Sequence, residues 1–443
     1  MSNKKTIAFI ALGCAKNQIN TEIMIADVKN AGYTITGEPE MSDVTVINTC
    51  GFIEDAKREA LDVIFEVAAL KKEGKVKKII VCGCLVQRYP DDIADELFEV
   101  DGFLGVGSFS KVVDAIERVL NGERVVEFDD TKNLQLEGER VLINPYYSAY
   151  LKVADGCSNR CSYCAIPLIR GDFKSRTMES VLDEANTLAK NGAKEIIVIA
   201  QDTTNYGADI YGEKKLAELL RKLCKIDGIE WVRVMYLYPD KITDELIDVI
   251  KTEPKIVKYI EMPIQHASGK VLKSMNRPGD AASLLSLVKK LRAEMPDVVL
   301  RTTVMVGFPT ETEECFEELC EFLKEARFDK LGTFEYSPEV DTPAYDMVQI
   351  PDEIKSSRAE AVELLQSIVV EKKQQDLIGK TFDVICEGYD RYGECYFGRS
   401  YMEAPDIDGK IFFTAKDKIN SGDMLKVKLT ETLDFELIGE QVK

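Results

Sequence analysis

A chain of 443 residues exceeds what one hydrophobic core holds and implies two or three domains. With 45% apolar and 30% charged residues it is not an intrinsically disordered polypeptide, and no window approaches the roughly 18 apolar residues of a membrane span. A formal net charge of -20 sets the surface against phosphate backbones and in favour of basic proteins, so a nucleic-acid role would need a local basic patch.

Twelve cysteines spread through regular strand and helix patterns fit a reducing, cytoplasmic compartment better than a short disulfide-bonded secreted fold. Lys4 and Lys5, the apolar run Thr6 to Leu12 and Gly13-Cys14 imitate a lipoprotein signal. The run is short for that purpose, and an amphipathic helix from Asn17 to Tyr33 follows it directly, so export is not expected.

The first third alternates β-rich and helical runs. Strands are expected at Thr6 to Leu12, Asp43 to Ile47, Val76 to Val81 and Gly102 to Val106, with helices at Asn17 to Asn30, Ile53 to Lys72, Gln87 to Glu99 and Phe109 to Asn121. Such alternation predicts a doubly wound parallel sheet, in which ligands bind at the carboxyl ends of the strands. Just past the first three strands stand Gly13-Cys14, Cys50-Gly51 and Gly83-Cys84, three thiols on one rim and a candidate cluster site. Cys82 and Cys84 face the same side of a regular strand. Gly83 frees the backbone to turn and the polar Gln87-Arg88 follow, which favours Cys84 as a ligand and Cys82 as a core residue. Chance placement of cysteines in buried strands competes with this reading.

Asp129 to Gly138 is polar and reads as a linker. Beyond it, Asp155-Gly-Cys-Ser-Asn-Arg-Cys-Ser-Tyr-Cys164 carries Cys157, Cys161 and Cys164 in the spacing C-x3-C-x2-C, close enough for one loop to wrap three thiolates around an iron-sulfur cube. A cube needs four ligands, so the fourth iron is open to a further ligand, the arrangement that lets S-adenosylmethionine (SAM) chelate iron through its amino and carboxylate groups. The intervening Ser158, Asn159, Arg160 and Ser162 are too polar for three cysteines packed in a core.

Strands then recur near Ala149 to Val153, Glu195 to Ala200, Val232 to Leu237, Tyr259 to Pro263, Val298 to Val304 and Lys330 to Tyr336, with helical patterns between them. Polar residues follow the strands: Gln201, Asp202 and Asn205, then Gln265 and His266, then Gly307-Phe308-Pro309-Thr310-Glu311. Gln201 and Asp202 suit either a helix cap or a cofactor contact. His266 is the only histidine, so no histidine-based metal site can form in one chain, and a hydrogen-bonded structural role is expected of it. Arg170, Arg176, Arg277 and Arg301 suit a carboxylate of cofactor or substrate, although most such arginines are simply solvated. A long helix from Ile354 to Gln375 precedes alternating runs at Thr381 to Glu387, Cys395 to Arg399, Lys410 to Thr414 and Met424 to Leu429, the pattern of a small antiparallel β-barrel. Residues 376 to 443 hold 14 acidic and 9 basic side chains, and Glu387 to Asp408 holds six acids against two arginines.

The C-x3-C-x2-C loop resembles the radical SAM superfamily, in which the aromatic before the third cysteine, here Tyr163, packs the adenine. Gly13-Cys14-Ala15-Lys16-Asn17, Asn48-Thr49-Cys50-Gly51-Phe52 and Gly83-Cys84-Leu85-Val86-Gln87-Arg88 resemble the three cysteine motifs of the methylthiotransferase N-terminal domain. The closing barrel resembles TRAM, an OB-like module. The stretch Gly398 to Gly409 is most similar to the branch that acts on ribosomal protein uS12.

The resemblance implies three parts: an N-terminal methylthiotransferase domain over residues 1–135, a partial (β/α)6 radical SAM core over 141–372 and a TRAM domain over 376–443. It implies two 4Fe-4S clusters, on Cys14, Cys50 and Cys84 and on Cys157, Cys161 and Cys164, with SAM held among Tyr163, Gln201, Asp202, Gly307, Glu311 and Arg301. Gly307 to Glu311 is similar to the family's G-x-I-x-G-x-x-E type of motif, with departures in detail. The implied reaction cleaves SAM to a 5'-deoxyadenosyl radical and installs sulfur and a methyl group at the β-carbon of an aspartate of uS12, a basic protein met free or in the small ribosomal subunit, with an electron donor as further partner. The sister branch modifies a tRNA adenosine with the same cysteines, and the acidic surface argues against it. A non-catalytic iron-sulfur carrier would require fully ligated clusters and no SAM pocket.

Overall fold

The computed structural model describes residues 5–143 and 145–442. The chain divides into two compact units: Met1–Asn144 with Lys152–Ser180 and Ser337–Tyr345, and Pro145–Leu151 with Val181–Tyr336 and Asp346–Lys443.

The first unit is built on a six-stranded parallel sheet of β1 (Thr6–Ala11), β2 (Thr34–Thr36), β3 (Val44–Thr49), β4 (Lys78–Gly83), β5 (Gly102–Leu104) and β6 (Val125–Glu127) in the order β2-β1-β3-β4-β5-β6. The period of two in β4 separates Ile80 and Cys82, which pack with Val44, Val46 and the helix Val112–Leu120, from Ile79 and Val81, which pack with Ile64, Val67 and Phe103. Both faces are buried, as expected of a doubly wound sheet. Cys82 is a core residue. Strand order reverses between β1 and β3, so the topological switch point lies where their carboxyl ends lead into Cys14 and Cys50.

Local chemistry amends the sequence reading in three places. The helix expected over Gln87 to Glu99 is two short ones, Cys84–Arg88 and Pro90–Glu96, because Pro90 has no amide hydrogen to continue the first. The helix expected from Phe109 starts as a 3-10 turn, Val106–Lys111, before Val112–Leu120. The stretch read as a linker is strapped to the sheet: Leu134 is buried in the core, the Asp129 amide donates to Ser108 Oγ at 2.9 Å, and Arg140 pairs with the fully buried Glu22 at 2.6 Å.

In the second unit, strands Ser148–Lys152, Glu195–Ile199, Trp231–Val234, Ile256–Glu261, Val299–Val306 and Lys330–Glu335 lie side by side in chain order, the partial barrel expected. From Glu195–Ile199 onward the pairings are parallel. Strands Thr381–Asp390, Cys395–Arg399, Ile411–Thr414, Met424–Leu433 and Glu436–Val442 close into a five-stranded barrel around Val384, Phe413, Val427 and Leu429. A largely buried ion cluster joins this barrel to the amino ends of the larger sheet's strands. Glu195 accepts from Arg233 Nε at 2.9 Å, Arg399 Nη2 at 2.8 Å and Ser148 Oγ at 2.9 Å, and Arg399 Nε donates to Glu387 at 2.7 Å. Burial opposes the Glu195 charge, yet Arg399 and Arg233 outweigh it and bring its carboxyl down to about 2. Nearby, Tyr259 donates to Asp408 at 2.7 Å.

Among the described residues no helix is long and apolar enough to cross a membrane.

Candidate functional site

The three N-terminal thiols emerge from loops that only glycine lets approach. Gly13 has φ +84°, and a Cβ there would stand 2.7 Å from Cys50 Cβ and 3.1 Å from its sulfur. Gly83 has φ +101°, and a Cβ would stand 2.3 Å from Asn48 Oδ1. That backbone turn takes Cys84 out of the regular strand that leaves Cys82 in the core. Around Cys14, crowding of its sulfur opposes charge, but Lys16, Arg170 and the amides of Asn17 and Lys16 outweigh it and hold the thiol below its ordinary value. Burial, reinforced by the adjacent Cys84, pushes Cys50 up to about 12. Burial also raises Cys84, against the pull of Arg170. Cys50 senses the charge of Cys84 and of Cys14, and Cys84 senses that of Cys14, so the three thiols form one group. As isolated thiols, Cys50 and Cys84 are disfavoured as thiolates, whereas a cationic iron center would reverse that preference. The glycine cradle, the thiol trio and Arg170 fit a cluster.

The second trio lies on a loop pinned from several sides. The Cys157 amide donates to Gly171 O at 3.1 Å, Cys164 to Cys161 O at 3.0 Å, and Ala344 to Ser162 O at 2.9 Å. Asn159 Nδ2 lies 3.4 Å from Cys157 Sγ. Cys157 and Cys161 are buried, Tyr163 and Cys164 half-buried. Among the described residues no three His, Cys, Asp or Glu side chains converge as ligands of a single ion. A cube spreads its thiolates over separate irons and does not require that convergence.

A polar network invisible to composition links the segments that bear the two trios, within the first unit. Asn17, Asn20, Thr21 and Glu22 form a buried polar patch on the helix Ala15–Asn30. Asn17 Nδ2 donates to Leu12 O and Thr49 O, each at 2.9 Å. Lys152 Nζ donates to Asn20 Oδ1 at 2.7 Å and pairs with Asp155 at 2.9 Å, and Arg170 bonds Asp155, Asn17 and Cys84. The sequence signal available was the spacing i, i+3, i+4 of Asn17, Asn20 and Thr21 on one helical face.

In the second unit, Asp202 accepts from Lys241 Nζ at 2.5 Å and from the Thr204 hydroxyl at the start of a 3-10 turn, and Gln201 beside it is half-buried. Glu311 is buried; it accepts from the Gly307 amide and pairs with Arg358 at 3.3 Å, fixing the Gly307 to Glu311 turn. His266 is fully buried. Its Nδ1 accepts from the Ser268 amide at 2.9 Å, which leaves the ring proton on Nε2, 3.4 Å from Glu311 Oε1. That is the hydrogen-bonded structural role expected of it. Of the four arginines weighed from sequence, none is simply solvated. Arg170 reaches Cys84, Arg176 donates to Lys152 O at 2.9 Å, Arg277 donates to Pro263 O at 2.7 Å, and Arg301 lies 3.3 Å from Glu261 and 3.5 Å from Asp408.

The chain matches the radical SAM superfamily over residues 151–323, the uncharacterized protein family UPF0004 over 6–105 and the TRAM domain over 378–442. It is 46% identical over 439 residues to the ribosomal protein uS12 methylthiotransferase RimO of Caldicellulosiruptor saccharolyticus, covering 98% of this chain and 99% of that one. It is 46% identical over 435 residues, with the same coverage, to RimO of Lachnoclostridium phytofermentans. The chain belongs to the RimO family. Membership makes it a radical SAM methylthiotransferase, an enzyme that uses SAM and 4Fe-4S clusters. Among solved structures, the radical SAM methyltransferase TsrM of Kitasatospora setae superposes with a TM-score of 0.59 at 13% identity, covering 77% of each chain, a likeness of fold alone.

For a RimO-family chain, the acidic stretch Glu387 to Asp408 would be the obvious docking face for a basic protein. The structure corrects that. Glu387 is paired with Arg399, Glu403 is buried and accepts from Ser400, and Asp408 accepts from Tyr259, so half of its six acids are spent inside the fold. Composition alone does not separate a solvated charge run from one paired inside the fold.

Proposed function

We propose that this chain inserts sulfur and a methyl group at the β-carbon of an aspartate of ribosomal protein uS12, with SAM as co-substrate. The observation that carries the reading is that all six candidate thiols, from four separated segments, fall in one compact unit. A fully ligated carrier has no need of two incomplete sets of three. Residues 1–135 would hold the sulfur-donating cluster through Cys14, Cys50 and Cys84, residues 141–372 the radical SAM chemistry through Cys157, Cys161 and Cys164, and residues 376–443 the TRAM barrel. Together the bound clusters supply the electron that cleaves SAM and the sulfur that is transferred.

The protein's own part is positional. The bonds to Gly171 O and Ala344 N hold the C-x3-C-x2-C loop, and Asn159 steadies Cys157. Tyr163, beside the third cysteine, is the adenine partner; Gln201, Asp202, Gly307, Glu311 and Arg301 are the further SAM candidates, Asp202, Glu311 and Arg301 through partners that already orient them. The acidic balance of residues 376–443, 14 acids against 9 bases, remains unfavourable to a phosphate backbone and compatible with a basic protein. A ribosomal substrate places the reaction in the cytoplasm, with an electron donor as the remaining partner.

The test is anaerobic incubation of the reconstituted, reduced protein with SAM and sulfide, separately with uS12, with small ribosomal subunits and with unmodified tRNA, followed by mass spectrometry. A methylthio gain on an aspartate of uS12 is expected. A gain on tRNA alone would overturn the substrate, and uncleaved SAM would overturn the chemistry.

A further inference from the structure

Arg170 ends the short helix Ile166–Arg170 that follows the C-x3-C-x2-C loop, and it is buried to 1% exposure. Its Nη1 donates to Asp155 Oδ2 at 2.9 Å, two residues before Cys157. Its Nη2 donates to Asn17 Oδ1 at 2.9 Å and to Cys84 Sγ at 3.3 Å. Asn17 in turn holds Leu12 O and Thr49 O, the carbonyls leading into the Cys14 and Cys50 loops. One guanidinium thus touches the anchor of the Cys14 and Cys50 loops, the Cys84 sulfur itself and the root of the other cysteine loop. We infer that Arg170 is a positioning residue that sets the reduction potential of a cluster held by Cys14, Cys50 and Cys84, an inference resting on the proposal that these three cysteines ligate one.

The effect is electrostatic. Reduction adds an electron, donated in the test by dithionite, and breaks no bond. The added negative charge spreads onto the ligand sulfurs. A buried cation hydrogen-bonded to one of them stabilises the reduced form more than the oxidised form and raises the potential. Asp155 does not cancel the guanidinium, because it has a second cationic partner, Lys152, at 2.9 Å. With all of these groups buried, solvent screens the interaction little. A purely architectural Arg170 would tie the loops together without moving the potential.

The experiment uses the full chain with Cys157, Cys161 and Cys164 replaced by alanine, so that only the N-terminal cluster gives an electron paramagnetic resonance signal. Redox titration with dithionite and mediators compares this parent with Arg170→Gln, Arg170→Lys and Asp155→Asn. Arg170→Gln should lower the reduced-to-oxidised ratio at fixed potential at least tenfold, about 59 mV for one electron. Arg170→Lys should recover part of the shift, and Asp155→Asn, which removes a nearby negative charge, should move the potential upward. Opposite signs from two neighbouring residues cannot come from general loosening. Equal potentials in Arg170→Gln and the parent would overturn the inference. So would loss of the cluster in Arg170→Gln together with an unshifted Asp155→Asn. No cluster in the parent strikes instead at the ligand assignment.

Discussion

Replacing Glu195 with glutamine should test whether the buried ion cluster holds the C-terminal barrel to the larger sheet. Glu195 is fully buried, and Arg233 and Arg399 hold its carboxyl at about 2 against an ordinary value of 4.5. At about 1.4 kcal/mol per pH unit, that difference is worth roughly 3 kcal/mol at neutral pH. Glutamine keeps the shape but leaves the buried Arg233 guanidinium without its anion and Arg399 with Glu387 alone, for which about 3–5 kcal/mol is the expected cost. Trp231, the single tryptophan, begins the strand that carries Arg233, so its fluorescence during urea unfolding of the iron-free chain reports on this unit. A carboxyl depressed on folding contributes fully above 4.5, its unfolded value, and the contribution falls away as pH drops from there toward 2. The gap between wild type and Glu195→Gln should therefore narrow by about 1.4 kcal/mol per pH unit below 4.5. A gap equal at pH ~6 and ~3.5, or below about 1 kcal/mol at neutral pH, would refute the assignment.

Other outcomes follow from the cysteine geometry. Cys84→Ser should remove about half of the iron and sulfide from the reconstituted chain, whereas Cys82→Ser should leave both intact; iron and sulfide assays decide. Gly83→Ala places a Cβ 2.3 Å from Asn48 Oδ1 at φ +101° and should cost about 1–3 kcal/mol and abolish the N-terminal cluster signal while sparing the other, as read by electron paramagnetic resonance. Asp408→Ala orphans the Tyr259 hydroxyl and should lower stability by about 1–3 kcal/mol. Urea unfolding of that variant, followed by Trp231 fluorescence, reads the loss.

Most strands of the two sheets were legible because they lie in apolar runs set between helical periods, and even the three-residue Gly102–Leu104 sits in such a run, Gly102 to Val106. Thr34–Thr36 and Val125–Glu127 were not, since three residues carry no readable period and are strands only because a neighbour pairs with them. The six thiols were singled out by spacing and adjacent glycines, which report backbone demands directly, and the structure places all six in one compact unit. What composition misjudged was the destination of charge. Arg170 looked like a carboxylate partner, Leu134 like part of a linker, and Asp408 like part of a solvated acidic face. In each case the deciding fact is a contact made across more than 80 residues of sequence or with a core assembled from several segments. The same remoteness makes those contacts informative. A buried arginine recruited from beyond one cysteine loop to bond a sulfur of another would strand a charge if its partners failed to form. With Asp155 and Asn17 bonded, the guanidinium's remaining contact falls on the Cys84 sulfur, and that contact is what the redox titration of Arg170→Gln reads.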